Sequence, residues 1–194
     1  MKEIILASQS PRRKQLLEWA EIPFKVMVQS TDESFSTVMP VEEIPIHIAE
    51  KKALAVIQQL KDNKTFDIDQ VVLAADTIVV LGNEVINKPA DRTHAIDMLT
   101  RLSGNTHRVI TGVVLMKDKI VQKFSVTTSV QFHPITQEQI EFYIDQYKPY
   151  DKAGSYAIQE WIGVVGIAGI TGDFYNVMGL PVSKVVQALH TLNS

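Results

Sequence analysis

Apolar runs of strand length alternate with longer stretches of helical spacing along this chain. Ile4-Ile5-Leu6 is such a run, and a small polar loop separates it from Pro11. Proline suits the first turn of a helix, Ser10 stands where a cap belongs, and Leu16, Leu17 and Ala20 supply an apolar face. Ile22-Pro23 breaks that pattern, and Phe24 to Val28 predicts a second strand. Gln29 to Ser36 is polar. From Val41 to Leu60, Ile44, Ile48, Ala49, Ala53, Val56, Ile57 and Leu60 recur at helical spacing. A polar connection, Asn63 to Gln70, leads to Val71-Val72-Leu73-Ala74-Ala75, a buried strand. Asp76-Thr77 interrupts it before Ile78-Val79-Val80-Leu81. Gly82-Asn83 then marks a turn, with Glu84 to Ile86 pairing back.

The second half has a different rhythm. Asp91 caps a helix running to Leu102, which Ser103-Gly104-Asn105 ends with turn chemistry. Thr106 to Met116 and Ile120 to Gln131 are two β-rich runs around Lys117-Asp118-Lys119, a hairpin pattern. Thr136 starts a helix to Tyr147. Pro149 to Trp161 is polar and irregular, and Val164 to Ile170 is apolar, with Gly163, Gly166 and Gly169 in or beside it. Pro181 opens a last helix to Leu192. Alternating strands and helices with two consecutive β-runs between them predict an α/β fold with a mixed sheet. No repeat or low-complexity linker divides the chain.

Composition narrows the function classes. The 194 residues are 45% hydrophobic and 21% charged, with a formal net charge of −3. This is an ordinary globular balance, and a general nucleic-acid or membrane-surface binder is expected to be basic. Cysteine is absent, which removes disulfides and cysteine zinc sites and fits a reducing compartment. The five histidines have no ligand spacing, and no run approaches the roughly 20 apolar residues of a membrane span. The N-terminal residues carry no signal-type segment, and a cytoplasmic location is the expectation. Neither a phosphate-binding G-x-x-x-x-G-K-[ST] loop, nor a G-x-G-x-x-G after a strand, nor a G-x-S-x-G elbow occurs.

Two places suggest chemistry. Arg12, Arg13 and Lys14 crowd the first turn of a helix, where the dipole disfavours positive charge and free N–H groups attract anions. They read either as an anion site or as a solvated basic patch. Asp76 breaks an otherwise apolar run, and a carboxylate there is expensive without a metal, a cation or several donors. A structural aspartate satisfied at a bulge is the alternative. Glu33, Lys52, Lys88 and Gln159, each taken alone, read as ordinary surface.

Together, in order, these stretches resemble the Maf family of nucleoside triphosphate pyrophosphatases. The matching pieces are Leu6-Ala7-Ser8-Gln9-Ser10-Pro11-Arg12-Arg13, Asp32-Glu33-Ser34, Ala49-Glu50-Lys51-Lys52-Ala53, and Ala74-Ala75-Asp76-Thr77 with Asn87-Lys88-Pro89. Leu102-Ser103-Gly104, Val109-Ile110-Thr111-Gly112-Val113, Asp151 to Gln159 and Asp173 to Pro181 complete the set. The resemblance implies one catalytic domain over residues 1–194, of the Maf/ITPase-like kind: an extended mixed sheet flanked by helices, with two lobes and a central cleft. It implies hydrolysis of a nucleoside triphosphate to monophosphate and pyrophosphate with a divalent cation, Mg²⁺ or Mn²⁺. The form Gly154-Ser155-Tyr156-Ala157-Ile158-Gln159 resembles the branch acting on dTTP and UTP.

Carried over residue by residue, the resemblance makes Asp76 the proton acceptor and, with Glu33, a metal ligand. Ser8, Arg12, Arg13, Lys52 and Lys88 would hold the substrate, and Thr77 and Gln159, with Arg12, would set specificity. A homodimer is a family-level expectation alone, and the acidic charge balance, not the resemblance, sets the expectation of no nucleic-acid or membrane partner. A nucleotide-binding regulator of cell division, with incidental catalysis, is the competing class.

Overall fold

A computed structural model of the chain describes residues 2–193. Its elements follow the alternation closely: β1 (Ile4–Leu6), α1 (Pro11–Trp19), β2 (Phe24–Val26), α2 (Ile44–Asp62), β3 (Val72–Leu81), β4 (Glu84–Ile86), α3 (Arg92–Leu102), β5 (Thr106–Lys117), β6 (Ile120–Phe132), α4 (Gln137–Tyr147), α5 (Trp161–Gly166), β7 (Ile167–Thr171), α6 (Phe174–Met178) and α7 (Val182–Asn193). Among the described residues, the sheet has seven strands in the order β2-β1-β3-β5-β6-β7, with β4 on β3. It is mixed: β1 runs parallel to β2 and β3, while β4 on β3 and β7 on β6 are antiparallel.

Three helix starts are set by local chemistry. The Ser10 side chain accepts from the Arg13 backbone, Asp91 accepts from His94, and Thr136 forms a reciprocal capping box with Gln139. β3 differs from expectation. It passes through Asp76 and Thr77 without a break, because the backbone pairing does not depend on the side chain and Asp76 finds a partner elsewhere. The run Val164 to Ile170 also divides, into the end of α5 and most of β7.

Chain contacts separate two units. The first comprises Met1–Asp76, Thr111–Val126 and Gly179–Ser194, and the second Thr77–Ile110 and Thr127–Met178. In the first, Ile5, Ala7, Val72, Ala74, Val114 and Met116 form one apolar face of the strands, by period-2 alternation. Ala49, Ala53, Val56 and Leu60 of α2 pack on it. The approach is close at Gly112, where an added Cβ would lie 2.2 Å from the Ile46 backbone nitrogen and 2.3 Å from the Pro45 carbonyl carbon. The first turn of α2 therefore rests directly on β5, which fixes where the helix carries Lys51 and Lys52.

In the second unit, Phe132, Tyr156 and His107 form an aromatic cluster, with ring centroids 5.2 to 5.5 Å apart. Buried Asn176 on α6 donates to the Val109 carbonyl and to the Thr128 hydroxyl, both at 3.1 Å.

Candidate functional site

In the first unit, three elements bring charge together. Asp76 lies at the end of that unit's share of β3, Lys52 on α2, and Glu33 in the polar loop after β2. Lys52 Nζ lies 2.7 Å from Asp76 Oδ1 and 2.7 Å from Glu33 Oε1. Asp76 and Lys52 side chains are 15% and 18% exposed, Glu33 50%. The carboxylate that looked costly in an apolar run is thus matched by an ammonium from 24 residues away. Beside it, Lys51 Nζ donates to the Ser34 carbonyl at 2.9 Å, and Ser34 is itself held by Asp32 in a local turn. The Asp32-Glu33-Ser34 loop is thereby tied to α2.

The basic first turn of α1 faces the same charges. Arg13 is 8% exposed. Its Nε donates to the Gly179 carbonyl at 2.8 Å and its Nη1 to Ser8 Oγ at 3.0 Å. Burial draws the Arg13 pKa below its usual value and neighbouring Arg12 adds to this, while Asp76 and Glu33 oppose it by favouring the charge. Those couplings put Arg12, Arg13, Asp76 and Glu33 in one electrostatic neighbourhood, to which Lys52 is bonded directly. Ser8 Oγ, besides taking the Arg13 guanidinium, accepts from the Ser10 backbone at 3.3 Å. Arg13 thus holds both the loop before α1 and the segment before α7. Arg12 is half-buried in the same turn.

Both carboxylates offer the donor type suited to a hard divalent cation. Among the described residues, no group of three or more histidine, cysteine, aspartate or glutamate side chains could hold a metal. Two carboxylates are the donor number with which Mg²⁺ is commonly bound, the rest of its shell coming from substrate phosphates and water.

The remaining expected residues belong to the second unit. Thr77 is half-buried on β3, directly after Asp76, and Lys88 is exposed in the loop before α3. Gln159 is exposed on a turn that follows five buried residues, Gly154 to Ile158. The two loops are connected, since the Gly154 N–H donates to the Asn87 carbonyl at 3.1 Å.

One part of this neighbourhood was not singled out by sequence reasoning. His107 Nε2 lies 2.7 Å from the Tyr156 hydroxyl, and the imidazole is 1% exposed. Only the structure displays the alternation that buries it, with Thr106 out, His107 in, Arg108 partly out and Val109 in.

The chain is similar to known proteins over nearly its full length. A family model described as Maf-like protein matches residues 3–192. A dTTP/UTP pyrophosphatase of Cytophaga hutchinsonii is 46% identical over 98% of this chain and 84% of its own. One of Parabacteroides distasonis is 49% identical over 96% of this chain and 94% of its own, and one of Phocaeicola vulgatus 45% identical over 98% and 96%. The ordered pieces from Leu6 to Pro181 and the match over residues 3–192 agree, and the chain belongs to the Maf-like protein family.

Proposed function

We propose that this protein hydrolyses dTTP and UTP to the monophosphate and pyrophosphate. The observation that carries the reading is the Lys52 ammonium held between the Asp76 and Glu33 carboxylates, with Arg12 and Arg13 in the same field. The names of the relatives, at 45 to 49% identity, point the same way.

A triphosphate brings up to four negative charges, and the group offers three cations against two carboxylates. An ammonium has three donors, so Lys52 can bond both carboxylates and still donate to a phosphate oxygen. Arg12 adds a planar guanidinium suited to paired phosphate oxygens. Arg13, already bonded to Ser8 and Gly179, contributes its field and holds the loop in place. Water attacks the α-phosphorus in line with the departing β-phosphate oxygen. The P–O bond to water forms, the α–β bridging P–O bond breaks, and pyrophosphate leaves with the bonding pair. The Asp76 carboxylate takes the proton released from water.

Glu33 and Asp76 would hold a divalent cation in this reading. When bound, such an ion neutralises phosphate charge and makes water more acidic.

Gln159 serves base selection. Uracil and thymine present O4 as acceptor next to N3–H as donor, and a primary amide offers both complements. Cytosine reverses the pattern at those positions, so the same amide would leave groups unpaired, which disfavours it strongly in a site built for hydrogen bonds.

The test is pyrophosphate release from dTTP, UTP, CTP, ATP and GTP with Mg²⁺ or Mn²⁺. Turnover confined mainly to dTTP and UTP is expected. Tight dTTP binding without pyrophosphate release would overturn the enzymatic reading and favour a regulator.

A further inference from the structure

Gln159 is exposed, but the segment that presents it is held at almost every residue. Gly154 adopts φ +70°, and a Cβ there would sit 3.1 to 3.3 Å from the Val79 side chain. Ser155 follows at φ 59°, fully buried, with an Oγ that has no hydrogen-bond partner. A serine in left-handed backbone conformation persists only where its surroundings enforce it. The Ala157 N–H donates to the Tyr143 hydroxyl at 3.1 Å, and the same hydroxyl donates to Glu160. An added Cβ on Gly163 would collide with the Ile158 carbonyl oxygen, so α5 packs against the backbone just before Gln159.

The Tyr156 side chain completes this hold from the core. Its ring stands edge-on to Phe132 and to His107, at 86° and 84°. His107 is an expensive occupant of that place. It is buried and its Nδ1 has no hydrogen-bond partner. Desolvation pushes its pKa down to about 4, so the ring is neutral at physiological pH. A phenylalanine would fill similar space without desolvating a ring nitrogen. What the imidazole adds is a directional bond to the Tyr156 hydroxyl, three residues before Gln159.

We propose that His107 is a positioning residue for base selection: through Tyr156 it fixes the angle at which the 154–158 segment presents the Gln159 amide. An amide that must serve a donor and an acceptor side by side tolerates little rotation, of the order of 10–20°. The proposal rests on Gln159 reading the base.

The experiment compares kcat/KM for UTP and CTP in Tyr156→Phe, which keeps the ring, in His107→Phe and in His107→Gln, each checked for folding by circular dichroism. Tyr156→Phe and His107→Phe are expected to lower the UTP/CTP ratio about tenfold, mainly through KM for UTP. The double variant should be no worse than either single one, and His107→Gln, which keeps a polar partner for the hydroxyl, should restore much of the ratio. An unchanged ratio in folded Tyr156→Phe overturns the proposal even if His107→Phe does not fold. Gln159→Ala separates the two levels. A ratio that falls there but not in Tyr156→Phe overturns positioning and leaves base reading standing. A ratio unchanged in Gln159→Ala overturns base reading, and the positioning role with it.

Discussion

Lys52 Nζ donates to Asp76 Oδ1 at 2.7 Å, joining a helix to the middle of an apolar strand. This bond explains how β3 carries a carboxylate without breaking, and it places that carboxylate beside Glu33 and the α1 arginines.

Asp76→Asn keeps an oxygen acceptor for Lys52 and removes the charge that takes up a proton. The fold should persist while pyrophosphate release drops about 100-fold or more. A steady-state assay with dTTP decides it, and a folded variant with near-normal turnover would contradict the role.

Lys52→Met leaves two carboxylates facing each other without the ammonium that separates them. Repulsion should lower stability by about 1–2 kcal/mol at this partly exposed site. The vacated pair should also attract a divalent cation more strongly. Thermal melts with and without MnCl₂ should therefore show a larger upward shift in Lys52→Met than in the parent protein. The absence of any Mn²⁺ shift in both would argue against a metal at Glu33 and Asp76.

Gly112→Ala pushes a methyl group against the backbone of Pro45 and Ile46. Because backbone cannot rotate away, α2 must move, at a cost of about 1–3 kcal/mol, and Lys52 moves with it. Lower Tm and lower kcat should appear together. Gly169→Ala is the control, since its Cβ meets nothing within 4 Å, and should change stability by less than about 0.5 kcal/mol.

Stability should depend on pH through His107. The folded state holds its pKa near 4 against 6.5 for the free side chain, so folding excludes the proton. That contribution is fully present above pH 6.5 and is lost as pH falls from 6.5 through 4. Its size is about 3 kcal/mol. Urea titrations at pH 7 and pH 4 should show a smaller difference for His107→Gln than for the parent. Equal differences would mean the imidazole is not desolvated as described.

Local chemistry made much of the fold legible. Ser10, Asp91 and Thr136 announce helices because a cap bonds to backbone only three residues away. Leu73 and its neighbours announce a strand buried on both faces. The continuity of β3 was not legible, because the partner that makes Asp76 tolerable comes from α2. Short α5 and α6 escaped for a similar reason: six and five residues carry too little periodicity, and Gly163 needs to be glycine only because the Ile158 carbonyl lies against it. At the candidate site, ordered motif pieces pointed to Glu33, Lys52 and Asp76. The burial of Arg13 against Ser8 and Gly179 depends on a residue 166 positions away. His107 stayed hidden because one histidine in a β-run carries no spacing to read.

The assignment of residues to the two units has an evolutionary corollary. One unit is assembled from three separate stretches of chain and the other from two. No single cut in the gene can therefore release either unit whole, and neither can be copied into another protein as one uninterrupted cassette.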